Sequence, residues 1–159
     1  MSGITIDDLS KLFSNPVFLS GLFAWFSAQF LKAVIEAVRF RNRRNRGLLV
    51  TLIWTTGGMP SSHSSVVSAL TTAMAFVVGI SSPLFILTLF FAILTVRDAL
   101  GVRRSTGVQA RVLNQVMADL NDKLGTNYKS VKEVNGHKAP EVLVGILLGF
   151  FLAVAFCSL

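Results

Sequence analysis

One short stretch separates two apolar parts of the chain: Gly57-Gly58-Met59-Pro60-Ser61-Ser62-His63-Ser64-Ser65. The glycines and the proline cannot continue a helix from the preceding residues, and Pro60 suits the first turn of a new one. Ser61 and Ser62 then lie where unpaired N–H groups and the helix dipole favour an anion. His63, in the same turn, could exchange a proton with that anion. The stretch is equally typical of a glycine turn and a serine-capped helix, with a histidine at a membrane interface.

The composition indicates a membrane protein. Of the 159 residues 52% are hydrophobic and only 14% are charged, and the mean hydropathy is +0.63. The apolar residues form about four runs, each long enough to cross a bilayer core of roughly 30 Å. We therefore predict an all-α integral membrane protein with about four transmembrane helices in a single bundle. The predicted spans are residues 16–38, 61–80, 84–100 and 139–159, in one domain of residues 16–159 that follows a polar N-terminal segment of residues 1–15.

Residues 105–136 are polar and rich in helix formers. Their apolar residues recur at roughly helical spacing, which predicts a cytoplasmic amphipathic helix that breaks at Gly125; they are Val108, Val112, Leu113, Val116, Met117 and Leu120. In the last span, Gly145 and Gly149 are four apart, a spacing that lets another helix approach closely. This spacing allows a homodimer through these two glycines.

The formal net charge of +7 is concentrated beside the apolar runs. An arginine-rich block at 39–46 and a second basic loop at 103–138 fall on one side of the predicted bundle, which marks that side as cytoplasmic. Nucleic acid is therefore not the expected partner; anionic lipid or phosphate is. The membrane is a bacterial inner membrane or an organelle membrane. The same topology brings four regions of the chain to the cytoplasmic face: the ends of the spans carrying Lys32, His63 and His137, and the loop carrying Arg103.

The residue types at this face suit phosphoryl transfer without a metal. A phosphate needs cations and N–H donors around its oxygens, a nucleophile in line, and an acid for the leaving alcohol. His137 and Glu141 are one helical turn apart, as expected for a nucleophile and the carboxylate that orients it. His63 suits the acid. Two cations have other interpretations, because Lys32 could snorkel to the interface and Arg97 with Asp98 could form a structural ion pair.

The pattern resembles the superfamily of type-2 phosphatidic acid phosphatases and vanadium haloperoxidases. Three motifs define that superfamily: Lys, six residues, Arg-Pro; Pro-Ser-Gly-His; and Ser-Arg, five residues, His, three residues, Asp. The chain has Lys32 and Arg39 at the first spacing, Pro60-Ser61-Ser62-His63 for the second motif, and Ser130, His137 and Glu141 for the third. It resembles the small divergent branch of the superfamily.

Four positions depart from the motifs. Phe40 replaces the proline, Ser62 the glycine and Glu141 the aspartate, and Val131 stands where the third motif has arginine. The segment 97–104, with Asp98 as a further candidate residue, could supply the missing cation from Arg103 or Arg104.

The resemblance implies a helical bundle that hydrolyses the phosphomonoester or pyrophosphate of a membrane lipid through a phosphohistidine, with no cofactor and no metal. His137 would be the nucleophile, assisted by Glu141, and His63 the acid. The implied phosphate-binding residues are Lys32, Arg39, Ser61, Ser62, Arg103 and Arg104.

Three alternatives stay open at the level of sequence. The cations could bind an anionic lipid in a non-enzymatic transporter or flippase, with His137 and Glu141 coupling proton movement. His63, Asp98, His137 and Glu141 could hold a metal, which ranks last because the chain has only two histidines. The chain could also have lost catalysis and serve as a membrane partner protein.

Overall fold

The computed structural model describes residues 5–39, 58–133 and 136–159, which contain helices and no strand. The predicted all-α architecture is confirmed. In chain order the helices are α1 (Ile6–Phe13), α2 (Pro16–Arg39), α3 (Ser62–Val78), α4 (Pro83–Leu100), α5 (Val102–Leu124) and α6 (Ala139–Ser158). In this part of the chain three helical stretches are long and apolar enough to cross a bilayer, namely Pro16–Val38, Pro83–Leu124 and Ala139–Ser158, whereas α3 is apolar but shorter.

Helix α3 is the centre of the bundle, because it packs against α2, α4 and α6. Its small residues make this possible: Ala69 and Ala73 form a buried cluster with Ala24 of α2 and Ala153 of α6. Serine hydroxyls add bonds between helices. The Ser65 hydroxyl donates to the carbonyl of Ala24 over 3.2 Å, and that of Ser68 donates to the carbonyl of Ile146 over 2.8 Å. In a bilayer the lipid is as apolar as the helix surfaces, so helices are held together by close packing and by hydrogen bonds of this kind.

The glycines of α6 lie against α3 of the same chain. A Cβ at Gly145 would lie 2.5 Å from the carbonyl oxygen of Ser61, and one at Gly149 would overlap the carbonyl of Ser65. The close approach inferred from their spacing is therefore intramolecular. Both glycines are buried, so they offer no surface to a second copy, and a homodimer would have to use other residues.

Two helix boundaries differ from the prediction. Ser61 is the N-cap of α3, because its hydroxyl accepts from the amide of Ser64, so Pro60 precedes the helix instead of forming its first turn. Helix α5 begins at Val102, before the predicted start, and ends at Gly125, which adopts the left-handed conformation with φ 64°.

The N-terminal segment contains a helix that was not predicted. Thr5 and Asp8 form a capping box at the start of α1: the amide of Asp8 donates to the Thr5 hydroxyl over 3.3 Å, and the amide of Thr5 donates to the Asp8 carboxylate over 3.0 Å. The bond from the Thr5 amide, and after it a bond of 2.7 Å that the Thr5 hydroxyl donates to the same carboxylate, lower the pKa of Asp8.

Helix α5 is amphipathic as predicted, and its polar face holds the segment that leads to His137. The side chain of Asn114 accepts from the amide of Val131 over 2.8 Å and donates to the carbonyl of the same residue over 3.0 Å. Asn121 accepts from the amide of Tyr128 over 2.8 Å. The opposite face exposes the apolar side chains of Val108, Val112, Leu113, Val116 and Leu120. The 126–133 segment is thus fixed along one side of α5, which determines where the chain re-enters the bundle.

Candidate active site

His137 is a buried histidine oriented by a carboxylate. It lies just before α6, its side chain is 6% exposed, and its Nδ1 atom is 3.1 Å from Oε2 of Glu141 in the first turn of that helix. The same Oε2 accepts the amide of Lys138 over 3.2 Å, which fixes the carboxylate. A carboxylate at Nδ1 favours the tautomer with its proton there, so Nε2 keeps its lone pair. In this arrangement Nε2 is the ring nitrogen that carries the free electron pair.

The start of α3 is bonded directly to the start of α6. The amide of Ser61 donates to the carbonyl of Glu141 over 2.9 Å, so this amide is already used. The hydroxyl of Ser61 is also engaged, because Ser64 donates to it through its hydroxyl over 2.9 Å. In the described part of the chain the N–H groups of Ser62 and His63 donate to no protein acceptor, as expected for a first helical turn. Among the described residues, these two amides are the candidate donors to an anion at the start of α3.

The junction between α4 and α5 holds the residues around His137. The amide of His137 donates to the carbonyl of Ala99 over 3.3 Å. Gly136 lies against Arg104: a Cβ on this glycine would be 2.5 Å from the Arg104 backbone nitrogen. A side chain at position 136 would therefore push the histidine segment away from the junction. This contact of Ala99 could not be predicted from the sequence, because every residue type has a backbone carbonyl.

Arg103 is brought to the site by an ion pair across the same junction. Its Nε atom donates to Oδ2 of Asp98 over 2.6 Å, with both side chains about two-fifths exposed (43% and 40%). The ion pair expected between Arg97 and Asp98 is therefore not the one formed. An exposed pair of this kind adds little to stability, so its effect is mainly to hold the guanidinium in place.

His63 lies close enough to several charged side chains to interact with them electrostatically. It is exposed in the first turn of α3, and it lies within electrostatic range of Arg103, His137, Lys32 and Asp98. The structure thus gathers residues from α2, α3, the α4–α5 junction and the start of α6. Their roles in chemistry stay predictions.

Lys32 lines a cavity between α2 and the start of α6. Its side chain is buried, only 2% exposed, which does not fit snorkelling to the interface. The cavity has a volume of about 410 Å³, and Glu36, Met59, Lys138 and Glu141 also line it. Glu36 lies one turn after Lys32 and so shares its helix face, and the polar residues of this face were expected to point into the bundle or a wet cavity. Lys138 was not predicted as a site residue.

Some predicted site residues lie outside the described residues. Arg39 ends α2, but its side chain and the rest of the basic block at 40–46 are not described.

Two further positions considered from the motifs are described. Val131, which replaces the third-motif arginine, is held on α5 by Asn114. Arg104 contributes its backbone to the contact with Gly136.

The residue set gives no support to a metal centre. Across residues 5–39, 58–133 and 136–159, no three or more His, Cys, Asp or Glu side chains are arranged to hold a metal ion. The four residues considered for that role pair differently, because Glu141 contacts His137 and Asp98 contacts Arg103.

The sequence profile of the Divergent PAP2 family matches residues 13–152, nearly the whole chain. The chain belongs to this family. It is also similar to the uncharacterized membrane protein YuiD of Bacillus subtilis (strain 168), with 37% identity over 155 residues that cover 91% of this chain and 95% of that protein. No solved structure matches the chain.

Membership of the Divergent PAP2 family confirms the resemblance inferred from the three motifs. The matched region runs from the end of α1 to within the last turns of α6 and includes every residue of the candidate site. The family and the membrane-protein relative support a membrane protein of phosphatase-like ancestry.

Proposed function

We propose that this protein is a lipid phosphate phosphatase that uses His137 as nucleophile and needs no metal. The observation that carries the proposal is the contact of 3.1 Å between Nδ1 of buried His137 and Glu141, beside His63 and Arg103. A histidine with its Nδ1 proton held by a carboxylate presents a free electron pair at Nε2. The substrate is the phosphomonoester or pyrophosphate of a membrane lipid.

The reaction has two steps. Nε2 of His137 attacks phosphorus, the bond from phosphorus to the leaving oxygen breaks, and His63 gives that oxygen its proton. Water then attacks the phosphohistidine, giving a proton back to His63, and inorganic phosphate leaves with the bonding electrons returned to Nε2. Glu141 stabilises the positive imidazole ring during both steps.

The surrounding donors suit the charge of the transferred group. Lys32 and Arg103 supply positive charge, and the amides of Ser62 and His63 supply N–H donors at the positive end of α3. Fixed donors aimed at developing charge commonly give the largest part of enzymatic rate enhancement. Arg103, held by Asp98, takes the place of the arginine that Val131 replaces.

The decisive experiment measures phosphate release by purified protein from phosphatidate, phosphatidylglycerol phosphate and a polyprenyl pyrophosphate, in detergent with EDTA. Release by the wild type that disappears in His137→Gln, while Gln115→Ala on the exposed part of α5 remains active, supports the proposal. Radiolabelled substrate should leave an acid-labile label on the wild type, as a phosphohistidine does. Absence of release from all three lipids by folded protein would favour a transporter, a flippase or a partner protein without catalysis.

We place the active site at the cytoplasmic face because the basic segments flank it. The orientation is tested with single cysteines in a Cys157→Ser background. Lys129→Cys should react with a membrane-impermeant maleimide only in inside-out vesicles, and Ser158→Cys only in right-side-out vesicles. The reverse pattern would place the site on the outer face.

A further inference from the structure

A second cavity lies between α3 and α4 and is separate from the one at Lys32. It has a volume of about 730 Å³ and runs along the side of the bundle. Val67 of α3, Ile146 of α6 and Leu89, Ala92, Ile93 and Val96 of α4 make most of its lining apolar. The side chains of Leu89 and Ile93 are also exposed, so the cavity is a groove open to the surrounding lipid.

Helices α3 and α4 are joined at one end of the groove. Gly79 and Ser82 join them in a tight turn, and near it the Thr71 hydroxyl donates to the carbonyl of Thr88 over 3.1 Å. Farther along, small residues such as Ala92 face the gap and leave it unfilled. The end remote from the turn is the α4–α5 junction.

The length of the groove matches one leaflet of a bilayer. From Leu89 to Leu100, both lining residues, α4 rises about 16 Å at the usual helical rise. Half of a hydrocarbon core is about 15 Å thick. A chain that begins at the membrane surface and reaches the midplane would therefore fill the groove.

The polar end of the groove meets the candidate active site. Arg97 and Gly101 line that end. Between them, Asp98 holds Arg103, and Ala99 accepts the amide of His137. A lipid with its chain in the groove would thus present its phosphate to the residues that the proposed reaction uses.

We propose that this groove binds one hydrocarbon chain of the lipid phosphate substrate, which enters sideways from the leaflet between α3 and α4. This inference rests on the proposed function, since it assigns the chain of the same substrate. Arg97 neutralises charge at the polar end, and the apolar lining takes the chain. Substrates with long chains are therefore preferred to short-chain analogues with the same headgroup.

The test fills the groove and compares chain lengths. Ala92→Phe adds an aromatic ring to the lining, and Ala155→Phe makes the same change on an exposed part of α6 outside the groove. We measure kcat/KM for dioleoyl and dibutyryl phosphatidate. The ratio of the two should fall about tenfold or more in Ala92→Phe, as expected for a blocked apolar subsite, and stay constant in Ala155→Phe. An unchanged ratio in Ala92→Phe overturns the groove assignment.

A binding arm separates failure of the groove from failure of the proposed reaction. Dioleoyl phosphatidate with a photoreactive group on one chain is cross-linked to His137→Gln protein in nanodiscs. The label should fall within Pro83–Leu100, and excess phosphatidate should displace it while phosphatidylcholine does not. This result supports binding of the lipid chain in the groove even if no phosphate is released. Equal displacement by both lipids indicates ordinary bilayer lipid in the gap and overturns it.

Discussion

Oε2 of Glu141, in the first turn of α6, lies 3.1 Å from Nδ1 of His137, which immediately precedes that helix. The carboxylate is shared with the amide of Lys138, so it cannot rotate away without losing a second bond. His137 and the carboxylate that contacts it thus lie at a single helix start. His63, Lys32 and Arg103 belong to other helices.

The first prediction concerns Glu141→Gln. An amide in place of the carboxylate no longer stabilises the charged ring and no longer selects the tautomer, so phosphate release should fall about 100-fold or more. The matched control is Glu133→Gln, which removes the same charge from the exposed pair with Arg111. Equal activity of Glu141→Gln and wild type would contradict an orienting role for this carboxylate.

The second prediction separates the roles of the two histidines. If His63 protonates the leaving oxygen, His63→Gln should strongly slow hydrolysis of an alkyl phosphate and affect p-nitrophenyl phosphate much less, since nitrophenolate leaves without a proton. His137→Gln should abolish both activities. Steady-state rates on the two substrates provide the measurement. A similar loss on both substrates for His63→Gln would argue against general acid catalysis.

The third prediction tests Arg103 as a phosphate ligand. Arg103→Gln removes a charge-assisted contact, which is worth about 1.5–3 kcal/mol, so the vanadate inhibition constant should rise about tenfold or more. Arg111→Gln removes an exposed arginine that pairs with Glu133 and should leave the constant unchanged. The measurement is a vanadate inhibition curve for each variant. An equal rise of the inhibition constant in both would mean that it responds to overall charge and not to a contact with Arg103.

The fourth prediction concerns Gly149. Its backbone lies against the Ser65 carbonyl, so Gly149→Ala forces α6 away from α3. Overpacking of this kind costs about 1–3 kcal/mol, which should lower the unfolding midpoint in detergent. Ala155→Gly changes an exposed position of the same helix and should cost about 0.5–1 kcal/mol through backbone entropy. A Gly149→Ala protein as stable as wild type would show that the α3–α6 contact is looser than described.

The fifth prediction is a pH dependence of α1. The pKa of Asp8 lies below its ordinary value of 3.8 because Thr5 donates hydrogen bonds to its carboxylate. A depressed pKa in the folded state means that the capping bonds stabilise the helix above this ordinary value and are lost as the pH falls through the lower folded value. Amide exchange of residues 6–13, corrected for intrinsic rates, should accelerate over that acidic range in wild type. Asp8→Asn should show no such transition.

The local features of this protein could be predicted from residue type and spacing. Long apolar runs require helices in a bilayer, since backbone groups must be paired internally. Gly125 ends α5 because a residue without Cβ adopts the left-handed conformation readily. The contact of Glu141 with His137 was expected from their spacing of four, although His137 itself lies just before α6. The motif pattern likewise identified the family.

Contacts between distant segments were decided only by the tertiary structure. Gly145 and Gly149 signalled a close helix approach, but their spacing could not say that the partner is α3 of the same chain. Asp98 has three arginines near it in the sequence, Arg97, Arg103 and Arg104. The helix break at Gly101 brings Arg103 to its carboxylate. The amide of Ser61 is used by the carbonyl of Glu141, and His137 is held by that of Ala99. All residues have a backbone carbonyl, so the sequence does not indicate which carbonyl accepts a given amide. The packing of the helices determines these pairs.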